Sequence, residues 1–152
     1  LYIREARRLL GARVKAEQHV RNLVAIPDPV GLGSYNIDSH NCRRTITAEG
    51  TVQNEGDVQV RLEAPYAIGY ASLVPRREEL ENLVVPVCLS ATHIAYGSIR
   101  MEPVFWILGE SSGTAAAIAA QQSLAVQDVP YETLRDRLLT AGQVLSWPPP
   151  SE

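Results

Sequence analysis

Residues 82–122 read NLVVPVCLSATHIAYGSIRMEPVFWILGESSGTAAAIAAQQ, and this run decides the fold. Residues 82–87 are apolar on both sides. That pattern predicts a strand covered on both faces, as in a parallel α/β sheet. Pro86 places the strand's end close by, because proline cannot donate to a ladder. From about Met101 to Gln122 the sequence is long, rich in alanine and nearly uncharged, which predicts a helix. Pro103 falls in its first turn, where a missing N–H costs nothing. Gly109, Gly113 and Ala117 are four apart, a stripe that lets another element approach closely. Residues 91–100 then read as a polar loop between two buried elements.

Two readings of that loop are open. A helix N-terminus carries unpaired N–H groups and a partial positive charge, and so favours an electron-rich group. Arg100 would add a fork of donors, Gly97 would allow close backbone approach, and Thr92, His93 and Ser98 would add hydrogen-bonding groups. On this reading the loop is a ligand cradle at the carboxyl end of a strand. Otherwise it is a polar connection in which Arg100 pairs with a carboxylate such as Glu102.

Working outward, residues 3–11 (IREARRLLG) have helical spacing and end at Gly11, a suitable cap. Residues 12–20 predict a short strand and a turn. Residues 26–34 (IPDPVGLGS) carry two prolines and two glycines and predict an irregular loop. Residues 34–74 carry β signals: SYNIDSH alternates, TITAEGTVQ predicts a hairpin turning at Glu49–Gly50, and DVQVRLE sets Val58, Val60 and Leu62 against polar neighbours. The strand over 67–75 stops at Pro75. Together these predict one antiparallel sheet with a wet face. Residues 129–142 predict a closing helix started by Pro130, with Leu134, Leu138 and Leu139 as its buried stripe and Gly142 at its end. The fold class is therefore α+β. Residues 1–80 form an N-terminal helix and an antiparallel sheet. Residues 81–152 form a strand–loop–helix unit of α/β type, followed by the second helix.

Composition narrows the function. The chain has 152 residues and a net charge of −3, with no basic patch of the kind that binds nucleic acid. No segment has the length and apolarity of a membrane span, since Glu110 and two serines interrupt the best candidate. Cys42 and Cys88 form no CxxC, and His19, His40 and His93 have no ligand spacing, so no metal is expected. The GLG of residues 31–33 lacks the third glycine, the preceding strand and the following helix of a dinucleotide fingerprint. Asp38 and His40, two apart, share a face of a strand and could do acid–base work or form a structural pair. Ser90, Ser98, His93 and Asp38 include triad residue types, but no GxSxG elbow accompanies them. The chain opens on leucine rather than methionine, which fits a piece of a longer protein.

Residues 81–121 resemble the carboxyl-terminal flavin-binding segment of the FAD-dependent oxidoreductase family, a group with a glutathione-reductase-like FAD fold in which xanthan lyase labels recur. IREARRLLG, GLGSYNIDSHNCRR, VQNEGDVQV and PYAIGYASLVPRREELENL resemble that family's motifs in the same order. The resemblance implies FAD as cofactor, a small-molecule substrate and a redox reaction. It implies that the antiparallel sheet of residues 1–80 is of substrate type, and that residues 81–152 are a piece of an FAD-binding α/β domain in which residues 82–87 are the returning strand. Ala91, Thr92, Gly97, Ser98, Arg100 and Met101 would contact the flavin, the helix from Met101 would point its amino end at the flavin pyrimidine, and His40 or else His93 would carry proton transfer. The strand–GxGxxG–helix unit that holds the pyrophosphate is missing from these residues. A missing amino-terminal FAD-binding half is thus the expected partner, and the isolated chain is expected to bind FAD weakly and to be inactive. A non-catalytic binding or assembly module that keeps the fold is the alternative. Unpaired sheet edges predict self-association.

Overall fold

A computed structural model of the chain describes residues 7–149. The architecture is α+β. Short helix α1 (Glu17–Val20) comes first, then six strands: β1 (Pro29–Gly33), β2 (Ile37–Ser39), β3 (Arg43–Ile46), β4 (Val52–Glu55), β5 (Val58–Val60) and β6 (Tyr66–Gly69). Helices α2 (His93–Ile99), α3 (Glu102–Gln122) and α4 (Tyr131–Thr140) follow. No described helix is long and apolar enough to cross a membrane.

The strands do not join into the single sheet that their alternation suggests. They form three antiparallel pairs, β1–β6, β2–β5 and β3–β4. The β3–β4 hairpin turns as expected, with Gly50 at φ +80°, and Ile46 stands opposite Val52. Val58, Val60 and Leu62 pack half-buried on the core as their alternation predicts. Residues 26–34 are more ordered than their prolines and glycines suggest. Gly31 and Gly33 belong to β1 because larger neighbours occupy the space a side chain would need. A Cβ at Gly31 would lie 2.6 Å from Ile107 Cγ2 of α3, and one at Gly33 would lie 2.6 Å from the Tyr66 hydroxyl.

Helix α3 is the centre of the packing. Val104, Leu108, Ala115 and Ile118 are buried, and the helix packs on β1 and on α4, whose Leu134 and Leu138 are buried. Ser111 reaches across to donate to the Val30 carbonyl at 2.5 Å. Leu139 is 43% exposed, so the stripe of α4 is narrower than expected. Gly109 and Gly113 lie on the outer face of α3 with nothing within 4 Å of a Cβ built on either. Their stripe approaches no element among the described residues. Trp106, 74% exposed, stands on the same outer side.

Two expected elements do not form among the described residues. The helix over 3–11 falls partly outside the described residues, and no helix forms over 7–11. Leu9 N–H donates to Cys88 at 2.8 Å and Ala12 N–H to Val74 at 3.1 Å, while Gly11 bridges Pro75 and Lys15 bridges Ala91. Long-range pairing wins there because so short a helix is marginal by itself. Residues 82–87 form no strand either. Val85 N–H donates to Leu73 at 2.7 Å, and Val84 and Val87 pack against the core, but no neighbouring strand pairs with them. Pro86 removes one donor, and a parallel strand needs an adjacent strand to satisfy the rest.

Candidate functional site

The run expected as a loop is folded into a helix. Thr92 caps α2 by accepting from Ala95 N–H at 3.3 Å, and the helix runs through Ile99 before Arg100 ends it. Met101 then caps α3. The helical turns seat α2 against β2 at three places. Gly97 lies so close to the strand that a Cβ there would sit 2.9 Å from the Asp38 carbonyl oxygen. His93 Nε2 and Ser39 Oγ share a hydrogen bond of 2.8 Å. Arg100, 3% exposed, donates from Nη2 to the Asp38 carboxylate at 3.1 Å and to the Asp38 carbonyl at 3.0 Å.

A cavity of about 580 Å³ opens beside this junction, lined by Asp38, Ser39, His40, Asn41, Cys42, His93, Gly97 and Arg100. That volume suits a small ligand or one end of a larger one. A helix and a strand position the lining, and the chain leaving β2 brings His40, Asn41 and Cys42 to its rim. His40 is exposed, and no hydrogen bond joins it to Asp38 among the described residues. Asp38 therefore serves the fold through Arg100 rather than orienting His40. Arg100 pairs with Asp38 and not with Glu102 among the described ion pairs. The guanidinium is buried and Asp38 partly so, and removing the carboxylate from such a pair costs more than losing a surface ion pair.

Of the eight residues singled out from the sequence, His40, His93, Gly97 and Arg100 line this cavity. The other four build its frame. The Ala91 carbonyl accepts from Arg8 Nε at 2.9 Å, Thr92 is the α2 cap, and Met101 packs against the core. Ser98 is buried and bonds the Tyr66 hydroxyl at 2.7 Å and the Tyr35 carbonyl. The hydrolase arrangement does not form: Ser98 is occupied in this way, Asp38 is held by Arg100, and the Ser90 hydroxyl is buried with no hydrogen-bond partner among the described residues. Ser39, Asn41 and Cys42 were not foreseen as lining residues. Their position next to Asp38 and His40 was the available signal, but a three-residue strand ends its alternation too soon for parity to assign them.

The start of α3 differs from the expected anion cradle. Pro103 has no N–H, the N–H groups of Val104 and Phe105 donate back to the Met101 carbonyl at 3.0 and 3.2 Å, and Glu102 places an acid in the first turn. The helix dipole remains, but few free donors accompany it.

The protein-family model described as FAD dependent oxidoreductase matches residues 1–138. No curated protein and no solved structure gives a significant match. A match over most of the chain shows that the chain belongs to the FAD dependent oxidoreductase family, whose cofactor is FAD and whose chemistry is redox.

Proposed function

We propose that this chain is the flavin-proximal portion of an FAD-dependent oxidoreductase in which a small-molecule substrate gives up a hydride. The supporting observation is the convergence of His40, His93, Gly97 and Arg100 on one cavity. The lining fits one end of the cofactor. A flavin presents carbonyl oxygens and ring nitrogens along its pyrimidine edge, and the Asn41 amide, the imidazoles and the Ser39 hydroxyl are groups that can bond them. It does not fit the other end, since no GxGxxG occurs in the sequence and the α3 terminus has few donors to spare. The pyrophosphate and adenine therefore need residues from elsewhere.

FAD would supply the two-electron acceptor. The protein's own contribution is positional and acid–base. His40, at the rim, takes the proton that the substrate loses as it is oxidised. His93, held by Ser39, orients the substrate and is the second choice for that proton. The Asp38–Arg100 pair fixes the floor, and with Gly97 it sets how near α2 comes to β2.

The test is a titration of the chain with FAD, read by flavin fluorescence and by the imidazole signals of His40 and His93 in NMR. Weak binding that moves both signals is expected. A flavin band that purifies with the chain would overturn the half-site reading, and signals unmoved at millimolar FAD would overturn the placement of the flavin. In the flavin-loaded protein, unchanged turnover in His40→Ala would remove His40 from its role.

A further inference from the structure

His40, Asn41 and Cys42 also line a second cleft of about 400 Å³, whose remaining walls are Arg43, Arg44 and Asn54 of the β3–β4 hairpin. The two spaces share these three residues and adjoin one another between the α2–β2 junction and the hairpin.

Among the described residues the charges lining the two spaces are unbalanced. The one described carboxylate that lines them, Asp38, is paired with Arg100. Arg43 is paired with Glu55 across the hairpin. Arg44 is exposed and has no ion-pair partner among the described residues, and its cross-strand neighbour is Asn54, an uncharged amide. Glu49, Asp57 and Glu63, the other acids of this region, line neither space. The groups left to meet a ligand are the Arg44 guanidinium, two amides and the His40 imidazole. All of them can donate hydrogen bonds, and none is an anion. An arginine fork flanked by amides matches an oxyanion.

We propose that the substrate of this site is a small molecule bearing an oxyanion, a carboxylate or a phosphate, which Arg44 holds at the hairpin end while the carbon to be oxidised lies near His40. This names the substrate class for the function proposed above and rests on that reading for the position of the reacting carbon. The binding of the anion does not depend on it. Arg44 on this view is a specificity residue, placed by the β3–β4 register, and charge-assisted bonds of its kind change affinity by about tenfold to a hundredfold.

The test uses three probes of similar shape on the intact chain: benzoate, phenyl phosphate and the neutral benzamide. Binding is followed through the Asn41 and Asn54 amide signals and the His40 imidazole in NMR. Saturable shifts are expected with at least one of the two anions and not with benzamide, and Arg44→Gln should weaken the effect at least about tenfold. Whichever anion binds more tightly identifies the head group. Arg44 is exposed on a surface hairpin, so the variant's other signals should stay in place, and the titration then reads binding alone. Equal binding of benzamide, no shift with either anion, or an unchanged affinity in Arg44→Gln would overturn the proposal. The FAD titration fails or succeeds separately. Anion binding without any FAD effect would leave the oxyanion site standing and remove the flavin from it.

Discussion

Lys15 is fully buried, yet it is an amine. Its Nζ donates to the Ala67 carbonyl and lies 5.0 Å from the centroid of the Tyr66 ring. Burial pulls its pKa down from 10.5 to about 7, partly opposed by the Asp28 carboxylate and reinforced by Arg13. The sign of the consequence follows from proton counting. Between pH 7 and 10.5 the unfolded chain holds a proton on Lys15 that the folded chain has largely lost, so stability rises with pH across that window. Below pH 7 the folded amine is charged as well, and the full cost of burying that charge is present. At the upper end the buried tyrosines act the other way. Burial raises the pKa values of Tyr70 and Tyr96 to about 12, so above about pH 10 their ionisation favours the unfolded chain. Urea midpoints measured from pH 7 to 9.5 should therefore climb in the native protein and stay flatter in Lys15→Met. Parallel slopes in the two proteins would show that Lys15 keeps its proton when buried.

At the scale of elements, the glycines separate close packing from open surface. A methyl at Gly97 meets the backbone of β2, which cannot rotate away. Gly97→Ala should cost about 1–3 kcal/mol and move the His40 and His93 signals. Gly109 and Gly113 have open space on the outer face of α3, so Gly→Ala there should stabilise the helix by about 1 kcal/mol each through its propensity. Unfolding curves of the three variants test the contrast, and a loss of stability at Gly109 or Gly113 would mean that the face is covered. The sequence showed the α3 and α4 helices well, because proline marked each start and apolar residues recurred along α4. It showed the β3–β4 hairpin through Glu49–Gly50. Residues 91–100 were misjudged as a loop because Gly97 and the hydroxyls suppress helix propensity, whereas the Thr92 cap and packing on β2 restore it. The strand over 82–87 was misjudged because apolarity reports burial and does not supply a pairing partner. At the site, residue types alone drew attention to His40, His93, Gly97 and Arg100. The Asp38–Arg100 pair was not legible, since 62 residues separate its members and no local pattern links them.

The molecule as a whole leaves its β structure underpaired. Among the described residues there are three sheets of two strands each, and an isolated pair of strands is marginal in water without a further layer. The β1–β6 pair has α3 against it and β2–β5 has α2. The β3–β4 hairpin has no such cover: β4 is exposed along its whole length, and Ile46 and Val52, which face each other, are 77% and 71% exposed. Two apolar β-branched side chains at one end of an unpaired ribbon are the arrangement that edge-strand charges normally prevent. The charges of its two strands are instead at the other end, where Arg43 and Glu55 satisfy each other, and near the apolar pair the turn carries only Glu49. Association through the Ile46–Val52 end should therefore appear as concentration rises. On a sizing column the chain should elute earlier at high loading than at low loading. Ile46→Lys with Val52→Lys should return it to the monomer position, because two ammonium groups placed side by side repel each other and resist pairing. Arg44→Gln, which leaves the apolar end intact, should not. An elution volume independent of loading would show that the hairpin stays solvated in spite of its exposed pair, and a shift that survives the lysine variant would transfer the contact to the outer face of α3, where Trp106 is the large exposed group.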